Sequence, residues 1–315
     1  MTCKLALFLS LFLVAAFEGL AAYPDKPIKI IVPTNAGGEI DAMARIFQRA
    51  FQEKDLLPVK AVVVNMPGAG GTVGTRRLKE SPPDGYTIGL WAPGIVTSKA
   101  MGIVNFDHKD FEVLGTTGYS EIGFGVKDDA PFQTIEELIA AAKAKPNSIK
   151  VATNIGLPVH FFPFLFAEEA GIELKFVQSG GGSVRLASIL GRHNDMAMFS
   201  LLAFKQFKKS GLKPLVILSG ERHELFPDIP TAKEIGVDLE ITDTRIWLAP
   251  KGTPPERLEI ISNVIKTTIE AEDVREEFIS LGLTPEFGSA EKLEIFLDDV
   301  TKRITPLVAK MRKNR

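Results

Sequence analysis

The sequence predicts an α/β fold with a largely parallel sheet, on the basis of three observations. Segments rich in β-branched residues alternate with segments whose apolar residues recur at helical spacing. Glycine-rich turns separate several of these segments. The length of 315 residues favours two domains over one.

The first strand–turn–helix unit begins after Pro27, with a strand at residues 28–32, a turn at 33–38 and a helix at 40–47. Further strands are predicted at residues 61–64, 86–91, 115–126, 150–153, 174–177, 195–199 and 214–218. Further helices are predicted at residues 73–78, 135–144, 161–169, 184–190, 255–269, 272–281 and 290–311.

The amino-terminal segment, residues 1–22, has the layout of a cleaved secretory signal. Its apolar run from Leu5 to Phe17 is shorter than the roughly 20 residues that a membrane-spanning helix needs. Cys3, the only cysteine, lies inside this segment, so the mature chain has no thiol for disulfides, nucleophilic catalysis or metal binding. We therefore expect a soluble, exported protein that is cleaved near Ala21 or Ala22.

Composition and motifs exclude several classes of function. The net charge of −2 provides no basic field of the kind that nucleic acids bind. The four histidines lack metal-ligand spacing, since Pro227 stands where an HExxH motif starting at His223 needs its second histidine. There is no Gly-x-Ser-x-Gly elbow of a serine hydrolase. We expect no nucleic-acid partner, no metal, no cofactor and no enzymatic activity.

Three glycine-rich turns each lie between a predicted strand and a predicted helix, at residues 34–38, 68–72 and 180–182. A phosphate-binding Walker loop and a dinucleotide fingerprint both fail at the second turn, because Val73 stands where each requires glycine. Glycines at a helix N-terminus expose unpaired backbone N–H groups, which together with the helix dipole attract an anion. Tight turns also use glycine for structure alone, but three such turns favour a site.

Motifs along the whole mature chain resemble one family, the substrate-binding receptors of tripartite tricarboxylate transporters, also called Bug proteins. These motifs lie at residues 23–27, 36–41, 65–74, 83–87, 180–182, 190–195, 227–231 and 249–254. The resemblance implies a periplasmic binding protein of type II-like architecture, with two α/β domains, a hinge and a central ligand cleft. Residues 23–124 plus 225–315 are expected to form domain 1, and residues 125–224 to form domain 2.

The resemblance also implies a function. We expect a monomeric receptor that captures a small carboxylate in the periplasm and delivers it to integral-membrane transporter subunits. Two alternatives remain open at this point, a ligand-sensing subunit for a membrane sensor kinase and an exported hydrolase. The sequence leaves the ligand open among mono- and dicarboxylates, aliphatic or aromatic acids and amino acids.

The resemblance places the acid group of the ligand between the first two glycine turns. The expected ligand-binding residues there are Thr34, Asn35, Ala36, Gly37, Gly38, Pro67, Gly68, Ala69, Gly70, Gly71 and Thr72. Further candidates elsewhere in the cleft are Asp41, Trp91, Gly156, His160, Gly180, Gly181 and Arg185.

Four of these candidates have competing interpretations. Arg185 either clamps a second carboxylate or is a surface arginine. His160 either donates a hydrogen bond to the ligand or has a structural role, and Trp91 either covers the ligand or packs in the core. Asp41 suits a turn better than an anion site, because a carboxylate would repel the acid group of the ligand, but it can receive an ammonium group.

Overall fold

A computed structural model describes residues 23–313 of the chain. The predicted signal segment and its cleavage site lie outside these residues. Within residues 23–313, no helix is long and apolar enough to cross a membrane.

The described residues form ten strands in one mixed sheet, in the order β2-β1-β3-β9-β4-β7-β5-β6, with β8 and β10 also paired to β4. The strands are β1 (Ile28–Val32), β2 (Ala61–Asn65), β3 (Thr87–Trp91), β4 (Phe111–Lys127), β5 (Lys150–Thr153), β6 (Lys175–Gln178), β7 (Met196–Ser200), β8 (Leu212–Ile217), β9 (Thr242–Pro250) and β10 (Leu283–Gly288). The α-helices are α1 (Glu39–Glu53), α2 (Thr72–Lys79), α3 (Gly94–Ala100), α4 (Ile135–Ala144), α5 (Pro158–Ala170), α6 (Gly182–Leu190), α7 (Leu201–Phe207), α8 (Pro255–Glu270), α9 (Glu272–Ser280), α10 (Ala290–Ile304) and α11 (Val308–Lys313).

Strand β4 belongs to both halves of the sheet. Its first part, residues 111–121, pairs with β9 and β10, whereas residues 122–127 pair with β7 and β8. On one side lies the parallel group β2-β1-β3, and on the other the parallel group β6-β5-β7. The chain therefore passes from the first half of the sheet to the second within a single continuous strand.

The prediction of a largely parallel sheet is correct for these two groups and wrong for the strands between them. Strands β4, β8, β9 and β10 pair antiparallel. A chain that leaves the first half along β4 must return in the opposite direction, and β9 does so directly beside β4. Strands β9 and β10 and helices α3 and α7 were not predicted, and the long predicted terminal helix is interrupted after Ile304.

The division of the chain into domains stays a prediction. The backbone pairing provides evidence on where the chain returns from domain 2 to domain 1. Beyond β8, Thr231 forms a bridge with Ile217, and Ile241 donates a backbone hydrogen bond to Leu218. The N–H of Leu218 in turn donates to the carbonyl of Ile122 in the second part of β4. These bonds favour a second crossover at Thr242 rather than at the predicted boundary between residues 224 and 225.

Apolar periodicity explains how the helices pack on the sheet. In α1, Met43, Phe47 and Ala50 recur at three- and four-residue spacing and are buried. The ring of Phe47 contacts that of Trp247 in β9, with centroids 5.0 Å apart in an edge-to-face arrangement. Helix α5 begins at Pro158, which suits the first position of a helix because its missing N–H would be unpaired there anyway.

Candidate ligand-binding cleft

A cleft of about 820 Å³ lies between turns from both halves of the sheet. The predicted residues that line it are Thr34, Asn35, Ala36, Gly37, Gly38, Pro67, Gly68, Gly70, Gly71, Trp91, Gly181 and Arg185. The predicted residues that are not part of its lining are Asp41, Ala69, Thr72, Gly156, His160 and Gly180. Asn154 and Ser183, from two segments that the sequence also assigned to the cleft, line it as well, and the polar lining residues that the sequence analysis missed are Glu39, Ser200, Asp243 and Arg245.

Three of the helices that begin at this cleft follow a glycine N-cap. Helices α1, α2 and α6 have Gly38, Gly71 and Gly181 as N-cap residues, and no side chain caps any of them. In contrast, Thr134 caps α4 and Ser289 caps α10 through side-chain hydrogen bonds. Helices α1, α2 and α6 therefore have backbone N–H groups that no capping side chain satisfies, and such groups can bind an anion.

The second glycine turn requires glycine for two physical reasons. Gly68, Gly70 and Gly71 all have positive φ angles, of 127°, 67° and 90°, which residues with a Cβ seldom adopt. In addition, a Cβ on Gly71 would collide with the indole of Trp91, and a Cβ on Gly70 would lie 2.6 Å from Cδ1 of Leu157. The turn is thus packed against both walls of the cleft.

Asp41 lies outside the cleft lining and holds the first glycine turn through hydrogen bonds. Its Oδ2 accepts hydrogen bonds from the N–H of Gly37, at 2.8 Å, and from Nε of Arg45, at 3.0 Å. Its Oδ1 accepts a third bond from the side chain of Asn65, at 3.0 Å. Burial alone would raise the pKa of Asp41, but these hydrogen bonds outweigh it and hold the pKa below its usual value. The geometry favours the interpretation of Asp41 as a turn residue.

Other predicted residues outside the lining also hold the turns in shape. The hydroxyl of Thr72 donates to the carbonyl of Ala69 at 2.9 Å. Nδ1 of His160 accepts a hydrogen bond of 3.2 Å from the N–H of Gly156. The imidazole is 1% exposed and packs edge-to-face on Phe176, with ring centroids 4.8 Å apart. The structure therefore favours the structural role that the sequence analysis left open for His160.

Arg185 is a buried cation without a carboxylate partner among residues 23–313. It is 9% exposed, so the alternative of a surface arginine is wrong. Its Nη1 donates to the carbonyl of Gly180 at 3.3 Å, whereas its Nε is buried and has no hydrogen-bond partner within the described chain. Burial lowers the pKa of Arg185 to about 10. A buried charge is costly unless it is paired, so an anionic group of a ligand is a suitable partner for this guanidinium.

A second charged group lies at the cleft, formed by Glu39, Asp243 and Arg245. Arg245 is 3% exposed, and its Nη1 donates to Oδ2 and the backbone carbonyl of Asp243, at 2.9 and 2.8 Å. Its Nη2 forms an ion pair with Oε1 of Glu39 and donates to the hydroxyl of Ser120 at 3.2 Å. We call Glu39, Asp243 and Arg245 the acidic triad, because two carboxylates share one guanidinium.

The sequence contained a weak signal for this group. The run of residues 241–250, ITDTRIWLAP, combines β-branched and aromatic residues that favour a strand. An arginine in such a run needs a specific partner if the strand places it in the interior, because arginine is rarely buried unless paired. Its partner Glu39, however, lies 206 residues away along the chain, so no local pattern connects the two residues.

The model of one protein family, described as TctC, the tripartite tricarboxylate transporter family receptor, matches residues 43–312. The chain belongs to this family. The match confirms the resemblance that the sequence motifs indicated. The TctC family is one of solute-binding receptors and not of enzymes.

One sequence relative and two solved structures agree with this assignment. Protein BugT of Bordetella pertussis is 28% identical over 308 residues, which cover 95% of this chain and 93% of BugT. A TctC solute binding protein from Polaromonas is 28% identical, with a TM-score of 0.72 over 93% of this chain and all of that one. The periplasmic binding protein BugD is 26% identical, with a TM-score of 0.77 over 92% of this chain and 98% of BugD. The predicted two-domain binding-protein fold is therefore confirmed.

Two solved structures at lower identity share the fold. MatC from Rhodopseudomonas palustris, with bound malate, is 21% identical, with a TM-score of 0.80 over 91% of this chain and 100% of MatC. Rpa4515 from the same species, with adipate, is 22% identical, with a TM-score of 0.81 over 92% of this chain and 98% of Rpa4515.

Proposed function

We propose that the protein is an exported receptor that binds a small carboxylate in its cleft and delivers it to a tripartite membrane transporter. The observation that carries this proposal is the combination of three uncapped helix N-termini with a buried, unpaired Arg185 around one cleft. The backbone N–H groups and the guanidinium are all donors to an anion. The dicarboxylates bound by MatC and Rpa4515 support the same class of ligand.

We further propose that the ligand carries two carboxylates. The glycine turns at residues 34–38 and 68–72 hold one of them through backbone N–H groups. Arg185, at the start of α6 in the other half of the sheet, holds the second. A ligand that touches both halves stabilises the closed arrangement, because only that arrangement makes both sets of contacts.

Closure then supplies the signal to a membrane partner. Strands β4 and β9 link the two halves of the sheet, so a change in twist near Ile122 and Thr242 would move one half relative to the other. We propose that the protein acts as a monomer in the periplasm and that the transporter recognises the closed surface. The sensor-subunit alternative shares this cleft, and capture of the membrane partner on the loaded protein would distinguish the two functions.

A thermal-shift screen tests the proposal. Mono- and dicarboxylates are added to the exported protein, and each acid is compared with its neutral methyl ester. A true ligand at one hundred times its dissociation constant stabilises the fold by about 2.7 kcal/mol. We expect dicarboxylates to raise the melting temperature and their esters to leave it unchanged. Equal shifts with acid and ester, or no shift with any acid, would contradict a carboxylate receptor.

A further inference from the structure

The ionisable residues in the lining of the cleft carry opposite net charges on different elements. Among the described residues these are Glu39, Asp243 and Arg245 of the acidic triad, and Arg185. The triad has two carboxylates and one guanidinium, which leaves one negative charge in excess. Arg185 on α6 contributes one positive charge and forms no ion pair within residues 23–313. A ligand between them therefore meets a cation on one wall and an anionic excess on another.

The anionic excess falls mainly on Asp243. Glu39 is neutralised by its ion pair with Arg245 and accepts a further hydrogen bond from Ser120, at 2.8 Å. Asp243 shares Arg245 through Oδ2 alone, and its Oδ1 is buried and accepts no hydrogen bond within the described chain. A buried acceptor without a donor is costly, and more so when it is charged. This atom lacks a hydrogen-bond donor, and the residue lines the cleft.

We infer that the ligand is a zwitterion, whose ammonium group binds Asp243 and Glu39 while its carboxylates bind the glycine turns and Arg185. An ammonium group supplies the missing donor and also neutralises the excess negative charge. A ligand hydroxyl would supply the donor but leave that charge uncompensated. The inference rests on the proposed function and adds to it the subsite that recognises the amino group.

The electrostatic surroundings of Asp243 agree with this assignment. Burial raises the pKa of Asp243 above its usual value, and Glu39 raises it further, while Arg245 opposes both. A ligand ammonium beside Asp243 would act in the same direction as Arg245 and favour the charged carboxylate.

Matched acids that differ at one substituent test the inference. Succinate, malate and aspartate share a four-carbon skeleton and carry hydrogen, hydroxyl and ammonium at the same carbon, and glutarate and glutamate form a five-carbon pair. We expect isothermal titration calorimetry of the exported protein to show that the amino acid of at least one series binds ten-fold or more tighter than its unsubstituted partner. Equal or tighter binding of succinate and glutarate would overturn the subsite but leave the carboxylate receptor intact. Tighter binding of malate than of aspartate and glutamate would assign a hydroxy acid instead.

The Asp243→Asn variant tests whether the acidic triad is responsible for the preference for an amino acid over its unsubstituted partner. We expect it to reduce the preference for the amino acid over its unsubstituted partner at least ten-fold, while the affinity for the unsubstituted acid changes little. A merely structural role would weaken both ligands in parallel, and that result would overturn the inference. Glu39→Gln provides a second variant with the same expected direction, should Asp243→Asn fail to fold. If no carboxylate binds the wild-type protein, the proposed function fails and the subsite with it.

Discussion

Gly70 and Leu157 meet across the cleft, such that a Cβ on Gly70 would lie 2.6 Å from Cδ1 of Leu157. Gly70 belongs to the turn before α2, in the first half of the sheet, and Leu157 directly precedes α5 in the second. The contact makes the side chain of residue 70 a determinant of how closely the two walls approach.

Gly70→Ala is expected to weaken binding of a confirmed carboxylate ligand about ten-fold. The φ angle of 67° costs a residue with a Cβ roughly 1–2 kcal/mol, and the new methyl group also meets Leu157. Titration calorimetry measures the loss of affinity, and the melting temperature measures the loss of stability.

Gly171→Ala is the matched control for Gly70→Ala. Gly171, at the C-terminus of α5, has a φ angle of 62°, and a Cβ there would have no atom within 4 Å. This control is expected to lower the melting temperature without changing affinity. Adding Leu157→Ala to Gly70→Ala should restore the part of the affinity that the collision removes. Wild-type affinity in Gly70→Ala would show that the turn does not limit the approach of the walls.

Arg185→Met is expected to separate ligand binding from stability. Because the guanidinium is buried without a carboxylate partner, replacing it with an apolar side chain should leave the ligand-free protein as stable as the wild type or more so. Loss of a charge-assisted hydrogen bond to the ligand should cost about 1.5–3 kcal/mol, or roughly 10- to 150-fold in affinity for a dicarboxylate. A monocarboxylate should lose much less. Equal losses for both ligands would place the second carboxylate elsewhere.

Asp243→Asn is expected to change the pH dependence of stability. The folded pKa of Asp243 lies above its unfolded value of about 3.9, so its contribution is fully present below that pH and is lost as pH rises through the folded pKa. The variant should therefore become more stable relative to the wild type as pH increases from about 4 to 8. Urea unfolding across this range measures the difference. A difference that stays constant with pH would show that Asp243 titrates normally.

Asp41→Asn is expected to change the pH dependence of stability in the opposite direction to Asp243→Asn. The folded pKa of Asp41 lies below its unfolded value, so its contribution is present above about pH 3.9 and is lost as pH falls through the folded pKa. The variant should be destabilised by about 1–3 kcal/mol at pH 7, and the deficit should shrink under acidic conditions. The same urea series provides the measurement. A deficit that is as large at pH 3 as at pH 7 would contradict the role of the charge in holding Gly37 and Arg45.

The sequence alone determined the local features of this protein. The turns at residues 34–38 and 68–72 were predictable because glycine is favoured where φ is positive, and several of their glycines have positive φ angles. The α/β class followed from periodicities that each helix and strand carries within itself. The family followed from short motifs that stand in order along the chain and that the family match over residues 43–312 confirms.

Only the tertiary structure decided which charged residues face the cleft. Arg245 forms its ion pair with Glu39 across 206 residues of sequence, because β9 returns beside β4 and brings its start to the N-terminus of α1. Whether Arg185 is a surface group or a buried cation likewise depends on which residues pack over α6. The periodicity of apolar residues along α6 does not contain that information. Burial and pairing are properties of the assembled fold, since both depend on residues that are distant along the chain and close in space.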